Sequence, residues 1–321
     1  MFAKCKKDDI IDIIFPATSC CKKDVEKIKK YVIQELNLRP RILLEDQFTF
    51  NENEPNNEFP LNNAEIRFLQ LKTAIESEES SIIWCARGGY GSGDLLPFLE
   101  KMPKIHQNKL FIGFSDIVSI SEFMQQNWGW SIICAPVLLQ LARREIEPQF
   151  EQELKEMIFL KKQNFDYEIE CLNEKNQEFK ISGPICGGCV SVLAGHFGGK
   201  YQMNFHNKIL FLEDEGEDGE RLDRYFRQII ENIIHNQQKP QAILLGNFLQ
   251  ANPHGTPKAE NIQIAIANFV KRINDLQINI PIFIDKKQNL GHSHKMRPLL
   301  IGYNVNIGKN NQCYNLNYQL S

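Results

Sequence analysis

Short apolar runs alternate with amphipathic stretches through the first half of the chain. Residues 9–15 have the mainly apolar character of a buried strand, and the spacing over 22–36 is helical. The alternation continues with strands predicted at 41–44, 81–85 and 110–113, and with helices at 64–77 and 93–100. An Asn-, Glu- and Pro-rich stretch at 51–63 is predicted to be a loop. Strands separated by helices are typical of βαβ units, so this half predicts a parallel sheet.

The second half begins after a change in polarity. From about 146 to 180 the chain is polar and charged, which predicts a surface helix and a linker. Beyond it, strands are predicted at 208–212, 241–245 and 278–284, helices at 220–234 and 261–273, and short β-like runs over 299–320. A length of 321 residues suits two domains. We therefore expect an α/β protein with domains at 1–150 and 181–321, joined by a linker at 151–180.

Charge and hydropathy exclude several partners. With 37 basic and 40 acidic side chains, the net charge of −3 implies no broad basic surface for nucleic acid or an anionic membrane. The charged N-terminus is followed by a short apolar run that Asp12 interrupts, which does not suit a signal peptide. No stretch approaches the ~18 uninterrupted apolar residues of a membrane span. We expect a cytoplasmic protein.

Nine cysteines are scattered without the rhythm of a disulfide framework. Their odd number favours free thiols that fill small apolar sites in a reducing compartment. Cys186 and Cys189 have the C-x-x-C spacing of redox pairs and zinc sites. A zinc site needs a second pair of ligands, and none lies at a suitable local spacing. Packing is therefore the favoured role of these two cysteines.

Two segments follow directly on predicted strands, where ligands gather in parallel sheets. Gly113-Phe-Ser115-Asp116 places a serine at a strand-to-helix turn, which suits a nucleophile; taken alone, it suits a helix N-cap better. The glycine-rich segment 87–93 matches neither the dinucleotide fingerprint nor the P-loop. Its backbone N–H groups are suited to stabilising an oxyanion or anchoring a substrate, and a flexible loop is the alternative.

Two later segments carry acids and histidines. Residues 211–217 read Phe-Leu-Glu-Asp-Glu-Gly-Glu, which suits a solvated acidic loop or a loop that binds a divalent metal. Gly291-His292-Ser-His294 supplies the main base candidates of the C-terminal half. A lone histidine is more often structural, and two histidines two residues apart also suit a metal site.

Taken together, in their order and spacing, the four segments resemble the serine LD-carboxypeptidase family. That family includes the murein tetrapeptide carboxypeptidases and the microcin C self-immunity peptidases. The resemblance extends over nearly the whole chain. Further matching segments are 10–19 with its Pro-Ala-Thr-Ser, Gly187-Gly188, Arg221 and Arg224, and Ile243–Phe248.

The resemblance implies a Rossmann-like N-terminal α/β domain, a smaller β-rich C-terminal domain and an active site in the cleft between them. It makes Ser115 the nucleophile, His292 the base and Glu213 the carboxylate that orients the imidazole. The backbone N–H groups of Gly89 and Asp116 are expected to form the oxyanion hole. It implies no metal and no cofactor, a small peptide or peptide conjugate as substrate, and a homodimer.

This chain departs from the family's pattern at three places. Asp94 stands where an arginine is usual, Cys189 stands where an asparagine is usual, and the loop after His292 is unusually polar. These departures leave the triad intact and bear on the substrate. An exopeptidase must recognise a free carboxylate, and Arg297, with Arg87 as the alternative, is our candidate for that contact.

Three functions follow from the resemblance. The leading one is removal of the terminal D-alanine from murein tetrapeptides by hydrolysis of an L,D-peptide bond during wall recycling. The second is cleavage of peptidyl- or aminoacyl-nucleotide antibiotics, for which Phe165 and Tyr167 are candidates to stack on a nucleobase. The third is a binding protein on the same fold that has lost its activity.

Overall fold

The computed structural model describes residues 5–50, 60, 62–173, 178–249, 259–310 and 313–320. The chain forms two compact units. The first unit comprises Met1–Gln163, His294–Leu300 and Leu320–Ser321, and the second comprises Asn164–Ser293 and Ile301–Gln319. The loop predicted at 51–63 lies largely outside the described residues. Within the described part of the chain, no helix is both long and apolar enough to cross a membrane.

The elements of the first unit follow the predicted alternation. In chain order they are β1 (Ile10–Ile14), β2 (Cys20–Cys21), α1 (Lys22–Tyr31), β3 (Arg39–Arg41), β4 (Thr49–Phe50), α2 (Ala64–Glu76), β5 (Ser80–Cys85), α3 (Leu96–Leu99), β6 (Leu110–Ile112), α4 (Val118–Trp128), β7 (Ile132–Cys134), α5 (Leu138–Ala142) and α6 (Pro148–Ile158). A π-helical turn at Val32–Leu36 extends α1, and 3₁₀ turns at Ser92–Leu95 and Ser115–Ile117 lead into α3 and α4.

Five of these strands pair in parallel, in the order β3-β1-β5-β6-β7, which confirms the predicted parallel sheet. The strand β5 illustrates why a continuous apolar run predicts a parallel strand. Its run Ile82–Cys85 is buried throughout, as expected in a sheet that is covered on both faces. Trp84 completes this core by donating its indole N–H to the Pro136 carbonyl at 3.0 Å. The pattern did not predict α4, β7 or α5. The strand predicted at 41–44 lies instead at 39–41, since Leu44 turns the chain with a φ of +57°.

The second unit is built mainly of strands. Its elements, together with the short strand β13 that completes the six-stranded sheet of the first unit, are β8 (Asn164–Cys171), β9 (Ile181–Cys189), α7 (Val190–Ala194), β10 (Ile209–Glu215), α8 (Gly219–His235), β11 (Ala242–Leu249), α9 (Ala259–Asp275), β12 (Ile282–Asp285), β13 (Leu299–Ile301), β14 (Asn304–Asn310) and β15 (Cys313–Gln319).

Seven strands of the second unit form one closed sheet in the order β9-β10-β11-β12-β8-β15-β14. The first four of these are mutually parallel, and the remaining pairings are antiparallel. The fold is therefore α/β with a β-rich second unit, as expected.

The linker interpretation is wrong for residues 164–171, which form strand β8 of the closed sheet. Along this strand Phe165, Tyr167, Ile169 and Cys171 are buried, while their neighbours face outward. Every second residue is therefore polar, and these polar residues led to the prediction of a charged linker at this strand. The predicted division also missed the return of residues 294–300 to the first unit.

Candidate active site

Ser115 lies at a sharp turn between β6 and α4. Phe114 is extended and forms the N-cap, so Ser115 is already the first residue of the helical turn, and the helix N-cap interpretation is wrong. The φ of Ser115 is +65°, in the left-handed region that non-glycine residues rarely occupy. Such local strain is concentrated at functional sites. A strained strand-to-helix turn is also how α/β hydrolases expose a nucleophilic serine.

The glycine loop 88–93 packs directly against this serine. A Cβ atom on Gly88 would lie 3.1 Å from the Cβ and 3.3 Å from the Oγ of Ser115. Gly89 has a φ of +105°, and a Cβ there would lie 2.2 Å from the Thr18 Oγ1. That hydroxyl accepts the N–H of Tyr90 at 3.0 Å, so the loop is held in place. The glycines therefore bring backbone close to the nucleophile.

Asp116 connects the serine turn to the glycine loop. Its carboxylate accepts the Ser92 N–H at 2.7 Å, and its carbonyl accepts the Ser92 hydroxyl. Burial raises the pKa of Asp116, and the bonds from Ser92 oppose this shift. The N–H of Asp116 lies in the first helical turn, where backbone donors have no intrahelical acceptor. It is therefore a suitable donor for an oxyanion.

A buried arginine that the sequence analysis missed fixes the other side of the glycine loop. Arg67 donates through Nη1 to the carbonyls of Pro16 and Gly91, both at 2.6 Å. Its Nη2 pairs with Asp94 at 2.8 Å, and Arg67 is only 2% exposed. Asp94 therefore acts as the partner of an arginine from α2. The spacing of α2 gave no signal of this role, because the contacted backbone is 24 to 51 residues away.

Glu213 and His292 meet in the second unit. Glu213 lies near the end of β10, and its Oε2 is 2.6 Å from the His292 Nδ1. The same oxygen accepts the His292 backbone N–H at 2.9 Å. Glu213 is 1% exposed and His292 is 6% exposed. A buried carboxylate bonded to Nδ1 fixes the orientation of the ring and leaves Nε2 as the nitrogen that can accept a proton.

The loop before His292 is shaped to make this contact. Gly291 has a φ of +96°, and a Cβ there would lie 2.6 Å from the Glu213 Oε2. Asp285, at the end of β12, accepts the backbone N–H groups of Asn289 and Leu290. The Asn247 amide donates to the His292 carbonyl at 2.8 Å. Glycine is thus required beside the imidazole, and hydrogen bonds from two strands hold the loop.

Burial and charge act in opposite directions on the imidazole. Burial lowers the pKa of His292, whereas the charge and hydrogen bond of Glu213 raise it, with help from Glu215 and Asp214. The net effect raises the pKa above the ordinary value of 6.5. Protonation of His292 is therefore favoured by the residues that hold it.

Among the described residues, the acids and cysteines near this pair have other partners or are buried. Within the described residues, no group of three or more His, Cys, Asp or Glu side chains could hold a metal ion. Asp214 instead accepts the Ser191 N–H at 2.7 Å. Cys186 and Cys189 are buried free thiols, and burial raises the pKa of Cys189 well above its usual range. A thiol of this kind lacks the lowered pKa of a redox cysteine.

Other predicted residues are placed less favourably. The Arg297 guanidinium donates hydrogen bonds to both carboxylate oxygens of Glu153, at 2.6 and 2.7 Å. Glu153 therefore already takes the pair of N–H donors that would bind a substrate carboxylate. Arg87 is half-buried and donates to the Ser19 carbonyl at 3.2 Å. His294 is exposed and faces Glu147 at 3.3 Å, which leaves His292 as the better base candidate.

The two aromatic residues proposed for nucleobase stacking are also occupied. Phe165 and Tyr167 are each 1% exposed and stack on Tyr318 inside the closed sheet. Neither presents a free face, so that prediction is wrong.

Comparisons with known proteins match both halves of the chain. A model of the LD-carboxypeptidase N-terminal domain matches residues 11–135, and a model of the LD-carboxypeptidase C-terminal domain matches residues 182–307. A protein of Rickettsia prowazekii, provisionally named a carboxypeptidase, is 29% identical to this chain over 244 residues. The match covers 75% of this chain and 71% of that protein. The murein tetrapeptide carboxypeptidase of Pseudomonas aeruginosa is 32% identical over 194 residues, 57% of this chain and 61% of the relative.

Two solved structures extend the likeness to the whole fold. The muramoyltetrapeptide carboxypeptidase from Oxalobacter formigenes has a TM-score of 0.74 at 20% identity, covering 96% of this chain and 99% of that one. The microcin C7 self-immunity protein in complex with aspartyl sulfamoyl adenosine has a TM-score of 0.72 at 16% identity, covering 100% of this chain and 98% of that one. At these identities the likeness concerns the fold alone.

Proposed function

Because the chain belongs to the LD-carboxypeptidase family of peptidases, we propose that it is a serine carboxypeptidase with Ser115, His292 and Glu213 as its catalytic residues. The observation that carries this proposal is the buried hydrogen bond of 2.6 Å between Glu213 and the His292 Nδ1. Such a pair prepares Nε2 to act as a general base. The strained Ser115 supplies a hydroxyl of the kind that such a base activates.

In the proposed reaction, His292 Nε2 removes the proton from the Ser115 hydroxyl as its Oγ attacks the scissile carbonyl. The carbon–nitrogen bond then breaks, and the imidazolium returns the proton to the leaving amine. Water, deprotonated by the same imidazole, hydrolyses the acyl-enzyme and releases the shortened peptide. Glu213 orients the ring and stabilises its cationic form throughout. The reaction requires Ser115 and His292 to come within hydrogen-bonding reach of each other.

Stabilisation of the oxyanion is assigned to the backbone N–H groups of Gly89 and Asp116. The close approach of the glycine loop to Ser115 supports this assignment, since a Cβ atom on Gly88 would lie only 3.3 Å from the Ser115 Oγ. Removing one donor of such a pair typically costs a factor of about 10² to 10³ in kcat. This term needs no metal.

The proposed substrate is a murein tetrapeptide, from which the enzyme releases the terminal D-alanine by cleaving an L,D-peptide bond. The 32% identity to a murein tetrapeptide carboxypeptidase supports this choice. The free carboxylate of the leaving residue needs a cation or backbone donors. Since Glu153 occupies Arg297, Arg87 is the better candidate for that contact. We propose that this reaction serves wall recycling and that the enzyme is a cytoplasmic homodimer. Light scattering after size-exclusion chromatography tests the dimer.

A peptidase that cleaves peptidyl-nucleotide conjugates is the competing activity. The aromatic residues predicted to stack on a nucleobase do not support this activity, because Phe165 and Tyr167 are buried. A likeness to immunity proteins at 16–18% identity supports only a shared fold. The intact Glu213–His292 pair argues against a binding protein without activity.

The test is mass spectrometry of products after incubation with a murein tetrapeptide and, separately, with a peptidyl-adenylate analogue. We expect the wild type to release a single D-alanine and Ser115→Ala to lose at least about a thousandfold in kcat. Ser121→Ala is the matched control, because that buried hydroxyl donates only back to the Val118 carbonyl of its own helix at 3.2 Å. Retention of a tenth of the activity in Ser115→Ala would overturn the triad, and cleavage of the adenylate alone would overturn the substrate.

A further inference from the structure

A second carboxylate faces the imidazole of His292. Glu213 binds Nδ1, and the Oε2 of Glu215 lies 3.7 Å from Nε2 on the opposite side of the ring. At that separation the contact is electrostatic rather than a direct hydrogen bond, and it becomes an ion pair when His292 is protonated. The imidazole therefore lies between two acids of one strand.

The local structure of β10 places both acids on the ring. Glu213 and Glu215 are two residues apart, so a strand presents them on the same side. Asp214, between them, turns away and accepts the N–H and the hydroxyl of Ser191. A register shift relative to β11 occurs between Leu212 and Asp214, and irregularities of this kind re-aim side chains next to active sites.

The two acids differ in their exposure to water. The side chain of Glu213 is 1% exposed, whereas that of Glu215 is 53% exposed. Glu213 can therefore act as a fixed, desolvated hydrogen-bond partner. Glu215 acts through its charge alone, across a distance that solvent and salt partly screen. Its effect should be modest and should depend on ionic strength.

The role of Nε2 shows what this charge does. In the proposed reaction Nε2 carries the proton taken from Ser115, and the positive charge develops on the side of the ring that faces Glu215. Before the reaction, the carboxylate and the Nε2 lone pair face each other, which favours the protonated ring. A carboxylate in this place therefore stabilises the imidazolium both in the resting enzyme and during proton transfer.

We propose that Glu215 is a positioning residue for the reaction, acting through His292 by stabilising the imidazolium at Nε2. This proposal rests on the proposed function of His292 as the base. It implies a compromise, since Glu215 assists proton transfer and at the same time holds a larger fraction of the enzyme in the inactive, protonated form. Among the described residues, Glu213 and Asp214 are also charged groups that act on the ring, and the Asn247 amide that binds the His292 carbonyl is neutral.

The test compares Glu215→Gln with wild type in pH profiles of kcat/KM. Exposed ion pairs change a proton affinity by a factor of about 1.4 to 5. We therefore expect the acid limb to move to lower pH, with the ratio of variant to wild-type kcat/KM about threefold larger at pH 5.5 than at pH 8.5. Added salt should move the wild-type limb in the same direction and the variant limb less. Glu215→Lys should shift the limb further.

Glu231→Gln is the matched control. Glu231 is an exposed carboxylate on α8 that faces the exposed His235 at 3.0 Å, so the same charge is removed beside a histidine outside the site. The control should retain the wild-type limb. An acid limb in Glu215→Gln that matches the control would overturn the proposal. A change confined to KM would also overturn it, because that result assigns Glu215 to substrate binding.

A titration by NMR separates this proposal from the proposed function. The His292 ring signal, identified by its loss in His292→Gln, is followed in Ser115→Ala with and without Glu215→Gln. The proposal expects Glu215→Gln to ease deprotonation of His292 here, whether or not hydrolysis is observed. If His292 titrates identically in both proteins, the inference fails even when the triad stands. If the titration shifts but Ser115→Ala remains active, the triad fails and the effect of Glu215 stands.

Discussion

Replacement of Glu213 by glutamine removes the charge beside His292 and preserves the shape of the side chain. In the native protein one carboxylate oxygen accepts two hydrogen bonds, from the His292 backbone N–H at 2.9 Å and from Nδ1 at 2.6 Å. An amide oxygen in the same place can accept both, so the loop should remain in position. What is lost is the negative charge that stabilises the imidazolium during proton transfer.

The expected loss is large because the pair is buried. In serine hydrolases the neutral replacement of this carboxylate lowers kcat by about 10⁴. At about 1.4 kcal/mol for each factor of ten, a loss of 10³ to 10⁴ corresponds to roughly 4–5.5 kcal/mol of transition-state stabilisation. Exposed pairs contribute about 0.2–1 kcal/mol, so an effect of this size is expected only of a desolvated carboxylate that is hydrogen-bonded to the imidazole. With 1% exposure, Glu213 is such a carboxylate.

The pH profile gives a second, independent consequence. Burial lowers the pKa of His292, and Glu213 more than offsets this effect, so the net shift is upward. Once the Glu213 charge is removed, only the weaker charges of Glu215 and Asp214 oppose the effect of burial. The acid limb of kcat/KM should therefore move to lower pH in Glu213→Gln. His292 also stabilises the fold below its unfolded pKa, and this contribution is lost as the pH rises through the raised folded value. The variant should lose part of this stability at pH 5.5 and little at pH 9.

The assay is release of D-alanine from a murein tetrapeptide between pH 5 and 9, with thermal unfolding at pH 5.5 and 9 as the check on folding. Retention of more than a tenth of the wild-type kcat/KM would refute the assigned role of Glu213. An acid limb that moved to higher pH would refute the electrostatic reasoning, whatever the rate.

Three further predictions use other residues of the site. Gly291→Ala should reduce kcat/KM at least about a hundredfold, because its Cβ would lie 2.6 Å from the Glu213 Oε2, whereas Gly308→Ala, with no atom within 4 Å, should be silent in the same assay. Burial raises the pKa of Asp214 from 3.8 to about 6, so its carboxyl stabilises the fold at low pH and this contribution is lost as the pH rises through about 6. Urea unfolding should therefore show Asp214→Asn gaining about 2 kcal/mol relative to wild type between pH 4.5 and 7, and a constant difference would contradict the shift. Cys189→Ala should keep its activity within about threefold, and zinc-reversible inhibition by a chelator would show that the site had been misjudged.

Much of the first unit was predictable because its strands carry their own signal. The runs at 81–85 and 110–113 are apolar enough to require burial on both faces, and glycine-rich backbone after one of them marks close approach. The tetrapeptide Gly113–Asp116 alone left the role of Ser115 ambiguous. Only the joint match of four segments to one family indicated a nucleophile. The glycines at 89 and 291 proved necessary for steric reasons that no local pattern expresses, since the atoms they avoid belong to Thr18 and Glu213.

The parts that sequence reasoning missed depend on partners distant along the chain. Arg67 is an ordinary charged residue until the fold brings it to Gly91, and no local pattern indicated that Arg297, the carboxylate candidate, pairs with Glu153. Glu215 is indistinguishable by composition from the other acids of 211–217, and only the direction of each side chain along β10 separates a partner of His292 from a solvated charge. Alternation hid β8 for a similar reason, because half of its residues face water.

The return of residues 294–300 to the first unit affects the order in which the protein can be completed during synthesis. Strand β13 begins at Leu299, and its neighbour β7 ends at Cys134, so the six-stranded sheet lacks one edge until 165 further residues have been made. At 5–20 residues per second, that interval is roughly ten to thirty seconds. Through this time β7 is an unpaired edge of a nascent sheet, the kind of edge that recruits other strands. The ribosome-bound first half is therefore a stage at which this chain presents an edge open to aggregation.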